Sequence, residues 1–486
     1  MRPNPSSRFL QKFRSSASWK NPRLQIGFAV LLLVTVGIGA WLGLNAWREN
    51  QVPTSPPETE EADAINDLQS PQVLLSFNEQ ASAIEVEAKS RCVQVDLVNS
   101  GWNSEAGTKV LQALNPTLWR VEALNLATYL EADAQNLETL VAYQNATNTE
   151  LFFALDIGQN EVLLKQIRAI RDFQEAGGQT AYLELNTSLA QTYSNQLTRT
   201  FPQITETFPG IELVLQWFPE QSQTLETYPA AAYATELAYS SEVESYENLA
   251  RDYPLSLTGI EATTEALSEF PNDRPLWVTK YRLVEEAGAT SGTSFSPFEN
   301  LKLGGTWAQA LTTSFGYHQL LLNQAEAVCI NTLSGSPQNS LYYLAQNTAA
   351  SNYQVLNRAQ DYEFSPVGQA FFMFSKAVGE ADEENSREFL VNNQRRDVIV
   401  WVFSDEVGTR AWVVNTGQAP VALDVARYGF RITGYETKSA PLNQVILSRR
   451  DVLTQTNSEP IQETQILLAR HSISTLSLES VETQNE

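Results

Sequence analysis

Histidine and cysteine are almost missing from this sequence: His318, His471, Cys92 and Cys329 are the two of each among 486 residues. Four such residues cannot assemble a Cys/His zinc site or an iron–sulfur cluster, so any metal would rest on carboxylates alone and no cofactor is expected. Basic residues are scarce too, 32 Lys and Arg against 56 Asp and Glu, giving a formal net charge of -24. That charge repels a polyanion over most of the surface and excludes nucleic acid as a partner. Glycine-rich phosphate loops are absent after the apolar runs, and no nucleophile elbow or Ser/His/Asp arrangement can be drawn. Disorder throughout is excluded as well, because 43% of the residues are apolar and 10% aromatic.

Long apolar stretches are missing with one exception. Residues 24–47 (LQIGFAVLLLVTVGIGAWLGLNAW) carry no charge, and about 24 residues rising ~1.5 Å each span a ~30 Å hydrocarbon core. Arg2, Arg8, Lys12, Arg14, Lys20 and Arg23 precede this run without an acid, whereas Glu49, Glu58, Glu60 and Glu61 follow it. The positive-inside rule then predicts a basic cytoplasmic tail (1–23), a transmembrane helix (24–47) through one lipid bilayer, and a periplasmic or extracellular remainder. A cleaved signal peptide is the competing reading, since Gly37 to Ala40 are small, but the apolar run continues past them through Leu44. Residues 48–71, rich in Pro, Glu and Ser and lacking aromatics, read as a disordered acidic stalk. In an oxidising exterior Cys92 and Cys329 could pair, and the sequence alone leaves that open.

From residue 72 onward the short apolar runs VLLSFN, LWRVEA, LFFALDI, AYLEL, IELVLQW, PLWVTKY and EAVCINTL alternate with helical spacings such as EVLLKQIRAIRDFQEAG. Strand and helix repeating every ~30 residues predict parallel βαβ units. Seven runs are visible, and an eighth strand is expected within 245–260, around NLARDYPLSL. The prediction is α/β: a (β/α)8 barrel over 72–370, with a doubly wound sheet as the alternative. The runs DVIVWVFSD, TRAWVVNTG, VALDVARYG and ISTLSLES alternate apolar and polar positions, predicting an antiparallel β-sandwich over 371–480 and a short tail, 481–486.

The order of these segments resembles the retaining clan A glycoside hydrolases, the group of α-L-arabinofuranosidases, β-xylosidases and heparanase-like β-glucuronidases. The resemblance rests on LQALNPTLWRVEALNLA for the second strand, LFFALDIG for the third, AYLELNTS for the fourth, PLWVTKY for the seventh and TWAQALTTSFGYHQLLLNQAEAVCINTLSG for the last helix and strand. FSPVGQAFFMFSKAVG and ILLARHSISTLSLE resemble the barrel exit and the closing strand of the appended sandwich. The resemblance implies two carboxylates about 5 Å apart, a general acid/base after strand four and a nucleophile after strand seven. Both positions depart from the pattern. The acid/base falls on Thr187 or Ser188, hydroxyls that cannot serve as acids near neutral pH. The nucleophile falls on Lys280, whose ammonium cannot form a glycosyl ester.

No catalytic residue is therefore assigned; an active enzyme would need relocated carboxylates such as Glu184, Asp156, Glu122 or Glu285. An ammonium at Lys280 needs a counter-charge, expected from Glu184 or from Asp156 or Glu122. Candidate ligand contacts are Arg120, Asn125, Glu184, Asn186, Trp217, Lys280, Tyr281, Trp307 and Asn331. The expected protein is an extracytoplasmic, membrane-anchored, glycoside-hydrolase-like molecule without the family's catalysis that binds carbohydrate or scaffolds. The alternatives are an active glycosidase and a purely structural envelope component.

Overall fold

The computed structural model describes residues 74–76, 82–83, 86, 88–187, 190–241, 243–244, 246–270, 274–284, 302–331, 333, 341–344, 362–379, 387–388, 397–426, 429–446, 449–457 and 463–481. Within them, short apolar strands alternate with helices from Cys92 onward. They are β3 (Cys92–Gln94), α1 (Glu105–Leu114), β4 (Leu118–Glu122), α2 (Ala123–Ala132), α3 (Gln135–Thr147), β5 (Glu150–Asp156), α4 (Asn160–Glu175), β6 (Tyr182–Asn186), α5 (Tyr193–Thr207), β7 (Glu212–Gln216), α6 (Ser222–Leu225), β8 (Ala232–Ser240), α7 (Leu249–Glu265), β9 (Leu276–Val284), α8 (Trp307–Leu322) and β10 (Ala325–Ile330). Local chemistry sets the helix ends: Ser104 caps α1 by accepting from the Gly107 amide at 3.0 Å, and Asn115 ends it in the left-handed conformation.

The eight strands close into a parallel barrel in the order β10-β3-β4-β5-β6-β7-β8-β9. A strand's two faces point to different places, so alternate residues split between two cores. Cys92, Leu118, Phe152, Val214, Ala232, Ala234, Trp277 and Cys329 pack together in the barrel interior. Their neighbours Trp119, Val121, Phe153, Leu215, Tyr233 and Val278 pack outward in the helix layer. The two cysteines are bonded, with Cα atoms 4.1 Å apart.

The later chain adds β11 (Tyr342–Leu344), β12 (Tyr362–Phe364), α9 (Pro366–Val378), β13 (Arg387–Glu388), β14 (Val398–Asp405), β15 (Gly408–Asn415), β16 (Val421–Asp424), β17 (Phe430–Ser439), β18 (Leu453–Asn457), β19 (Gln465–Leu468) and β20 (Ser472–Ser480). Together with β1 (Leu74–Ser76) and β2 (Ser82–Ala83), these build a seven-stranded sheet, β18-β17-β20-β15-β14-β13-β2, and a three-stranded sheet, β1-β16-β19. Val398, Val400 and Val402 of β14 face the sandwich core with Val413, Leu423, Leu468 and Leu476. Ile399, Trp401 and Phe403, on the opposite face, join Trp412 in the cluster that includes α8 and α9. β14 is thus buried on both faces from Val398 to Phe403, which is why the DVIVWVFSD run is nearly continuously apolar.

Two strand assignments from the sequence need correction. VLLSFN is not a barrel strand: Leu74–Ser76 pairs in parallel with Val421–Asp424, and Cys92–Gln94 opens the barrel instead. The eighth strand is not in 245–260, which forms α7, with Leu249, Asp252, Tyr253, Ser256, Ile260 and Thr264 buried at helical spacing. The strand lies earlier, in AYATELAYS, where alanines and tyrosines gave a weak apolar signal. Among the described residues no helix is long and apolar enough to cross a membrane. The expected anchor at 24–47 and stalk at 48–71 lie outside them.

Candidate functional site

At the carboxy-terminal end of the barrel, side chains from β4, β6, β8 and β9 form a charged mouth. On β4, the alternation that buries Leu118 in the interior also turns Arg120 and Glu122 inward, one above the other. β6 presents Glu184 and Asn186 in the same way, and β8 presents Glu236 above Ala232 and Ala234. β9 needs an extra device. Thr235 pairs with Val278 but Glu236 pairs with Lys280, so Thr279 is the additional residue of a β-bulge. Without it, strict alternation from Trp277 would aim Tyr281 into the mouth; with it, Lys280 takes that place.

Ion pairs run from the sealed interior to the rim. The buried Arg120 guanidinium donates from Nε to Glu184 Oε2 at 2.7 Å and from Nη2 to Oε1 at 3.1 Å, a bidentate pair. Its Nη1 donates to Gln94 Oε1 at 3.1 Å and to Glu122 Oε1 at 2.6 Å. The Thr279 hydroxyl donates to Glu184 Oε1 at 3.4 Å. Higher up, Lys280 Nζ lies 2.7 Å from Glu236 Oε1 and 3.5 Å from Glu122 Oε1, and Arg282 approaches Glu236 at 3.8 Å. Side-chain exposure rises along the series, from 0% at Arg120 and 3% at Glu184 to 34% at Glu122 and 36% at Glu236.

Lys280 therefore bridges strands on different parts of the barrel rim. Its partners are Glu236 and Glu122; the expected pairing with Glu184 is not formed, because Arg120 already occupies that carboxylate on both oxygens. Burial works to raise the Glu122 pKa, but Arg120 and then Lys280 outweigh it and hold the carboxyl below its ordinary value. Burial likewise works against the Arg120 charge, and Glu122 and Glu184 more than restore it, raising its pKa further. Glu122 in this setting is an anion at neutral pH, unsuited to donate a proton.

The other predicted residues are placed as follows. Asn186, in the amide orientation that satisfies both its atoms, donates to the Leu155 carbonyl at 3.1 Å and accepts from Arg120 Nη2 at 3.2 Å. Thr187 is buried, its amide donating to Gln216 Oε1 at 3.0 Å, while Ser188 and Glu285 lie outside the described residues. Asp156 accepts from the Gly158 amide at 2.8 Å in its own turn. Asn125, in the first turn of α2, is engaged with the segment after β3, accepting from the Leu97 amide and donating to Asp96 Oδ1, both at 2.7 Å. Asn331, partly exposed, follows β10, its amide donating to the Tyr281 carbonyl at 3.2 Å.

The three aromatic candidates sit in packed cores. Trp217 lies between Tyr233 and Phe270. Tyr281 packs among Tyr239, Tyr317 and α8, so tightly that a Cβ at Gly316 would fall 1.7 Å from its hydroxyl oxygen. Trp307 is fully buried, with Nε1 donating to the His471 carbonyl at 2.6 Å. Glu236 was missed by sequence reasoning, because its strand went unrecognised. The acid in the otherwise small and aromatic AYATELAYS was the available signal.

A parallel eight-stranded barrel joined to a β-sandwich, with a polar mouth at the carboxy ends of the strands, is a glycoside-hydrolase-like architecture. No protein-family model matches the chain, and no curated protein matches it. Solved structures do. A conserved exported protein from Bacteroides fragilis aligns with a TM-score of 0.53 at 10% identity, covering 83% of this chain and 100% of that one. A family 86 glycoside hydrolase solved with neoagarooctaose aligns at 0.50 and 10% identity over 85% of this chain and 78% of its own. A family 30 subfamily 8 xylanase from Clostridium acetobutylicum aligns at 0.49 and 12% identity over 84% and 100%. At such identities the likeness of the first two establishes the fold.

Proposed function

We propose that this chain is a membrane-anchored, extracytoplasmic, glycoside-hydrolase-like protein that has lost its relatives' hydrolysis and binds envelope or extracellular carbohydrate at the barrel mouth. The carrying observation is Lys280 between Glu122 and Glu236. An ammonium sits where retaining hydrolases need a nucleophile, and it ties up the carboxylates that could replace one. Carbohydrate is supported as the ligand class by the neoagarooctaose complex of the family 86 relative and by a rim that offers both carboxylate acceptors and ammonium donors to sugar hydroxyls. The extracytoplasmic setting is supported by the Cys92–Cys329 bond, which persists in oxidising compartments, and by the apolar run at 24–47 after a basic tail.

One observation favours the second reading, an active glycosidase. Carboxylate oxygens 2.7 and 3.5 Å from the same nitrogen are at most about 6 Å apart, near the separation a retaining pair requires. Against it, Glu122 is held ionised and cannot be the acid of such a pair, and the Lys280 ammonium lies between the two carboxylates where a substrate would have to enter.

The full chain in detergent, titrated calorimetrically with neutral and acidic oligosaccharides of xylan and agar, tests the proposal. Saturable binding is expected, weakened at least about tenfold by Lys280→Met, with no reducing ends released. An absence of binding across the panel, or binding indifferent to Lys280→Met, would refute the mouth as a carbohydrate site.

A further inference from the structure

We propose that the Cys92–Cys329 bond is a redox latch on the barrel seam, so that the charged mouth is assembled only after these thiols are oxidised. The argument is one of register and does not depend on which ligand the mouth takes. β3 has three residues, the shortest strand of the barrel, and it joins β10 through only two residue pairs, Cys329 with Cys92 and Ile330 with Val93. By comparison β4 and β5 share five pairs, and β8 and β9 share eight. β10 is also irregular on its other side, where its register against β9 shifts between Ala325 and Ala327 and again between Val328 and Ile330. The disulfide thus crosses the seam at one of its two pairs, where the backbone ladder supplies least.

The seam reaches the mouth through Gln94. This last residue of β3 accepts from Arg120 Nη1 through its side chain and from the Leu333 amide through its carbonyl, at 3.1 and 2.9 Å. If β3 lets go of β10, the Gln94 carbonyl loses the Leu333 amide, and the strand end that holds the Gln94 side chain against the Arg120 guanidinium is left anchored by its three pairs to β4 alone. Gln94 is then a positioning residue that couples seam to site.

Both cysteines are wholly buried in the closed barrel, so oxidation has to precede closure. One thiolate attacks the disulfide of an exchanging oxidant to form a mixed disulfide, and the second thiolate displaces the oxidant's remaining sulfur. The chain loses two electrons, and the oxidant leaves as a dithiol carrying the two protons. A chain held in a reducing compartment would keep an open seam and an unassembled mouth.

Hydrogen exchange on the full chain, resolved by peptide, tests this with two samples: wild type refolded under a thiol reductant, and the double variant Cys92→Ala, Cys329→Ala. Expected is exchange at least about tenfold faster than in the oxidised protein across 88–97 and 325–333, with protection kept in 150–156 and 212–216. In the reduced wild type, iodoacetamide should alkylate both cysteines without denaturant. Unchanged protection at the seam would overturn the proposal. So would loss spread evenly through 150–156 and 212–216, because the bond would then be a staple of the whole fold.

Discussion

Arg120 is a cation with no solvent contact that survives because Glu184, Glu122 and Gln94 between them accept from all three of its nitrogens. Removing one side of such a pair strands the other. Arg120→Met, which leaves Glu184 buried and unpaired, is expected to destabilise the protein by roughly 3–5 kcal/mol in urea titration. His318 gives the pH dependence. Its Nδ1 accepts from Trp401 Nε1 at 3.1 Å, and burial lowers its pKa to about 4; burial and then Arg470 lower His471 to about 4 as well. For a group whose folded pKa lies below its unfolded one near 6.5, the unfolded chain takes up the proton first. Stability therefore falls as pH drops from about 6.5 to about 4, by up to about 3 kcal/mol per histidine. Glu122, with its depressed carboxyl, acts in a lower window: its contribution is complete above the ordinary carboxylate pKa and disappears as pH falls through its folded value. His318→Gln should remove roughly half of the limb between pH 6.5 and 4, leaving the share of His471 and the lower limb intact; an unchanged profile would show that His318 titrates normally.

At the scale of elements, β14 and β15 hold the sandwich and the barrel to each other, because Trp401 and Trp412 face α8 and α9 while Val400 and Val413 face the second sheet. Trp412→Ala is expected to cost roughly 3–5 kcal/mol by emptying that shared core, and calorimetry should still show one transition for barrel and sandwich. Two separated transitions would contradict a continuous core. Much of this was legible in the sequence wherever periodicity was strong: β4 to β7, β9, β10 and α4 fall where their apolar spacing put them. The failures have physical reasons. Leu74–Ser76 is apolar enough for any sheet, and only its long-range pairing with Val421–Asp424 decides which one. Ala232–Ser240 draws its strand character from neighbours on both sides instead of its own side chains. In the site, the need of Lys280 for a counter-charge was legible and Glu122 was among the candidates for it, but Glu236, its nearer partner, was not. The bulge at Thr279 and the prior claim of Arg120 on Glu184 are tertiary facts without a local sequence signal.

For the whole molecule, a net charge of -24 surrounds a mouth in which Glu184, Glu122 and Glu236 alternate with Arg120, Lys280 and Arg282. Charge pairing of this kind fixes the strand ends against one another, the opposite of an active pair, whose carboxyls must be free to exchange protons and bonds with substrate. Glu236, absent from the sequence-based candidates, then becomes the residue on which the enzyme reading depends, since it and Glu122 are the closely spaced acids of the rim. The most direct measurement is hydrolysis of arabinofuranoside, xyloside and glucuronide aryl substrates and of xylan and agar by the full chain between pH 4 and 8, beside Glu122→Gln and Glu236→Gln. The account predicts release no faster than in buffer for all three proteins at every pH; turnover by the wild type that either substitution abolishes would contradict it.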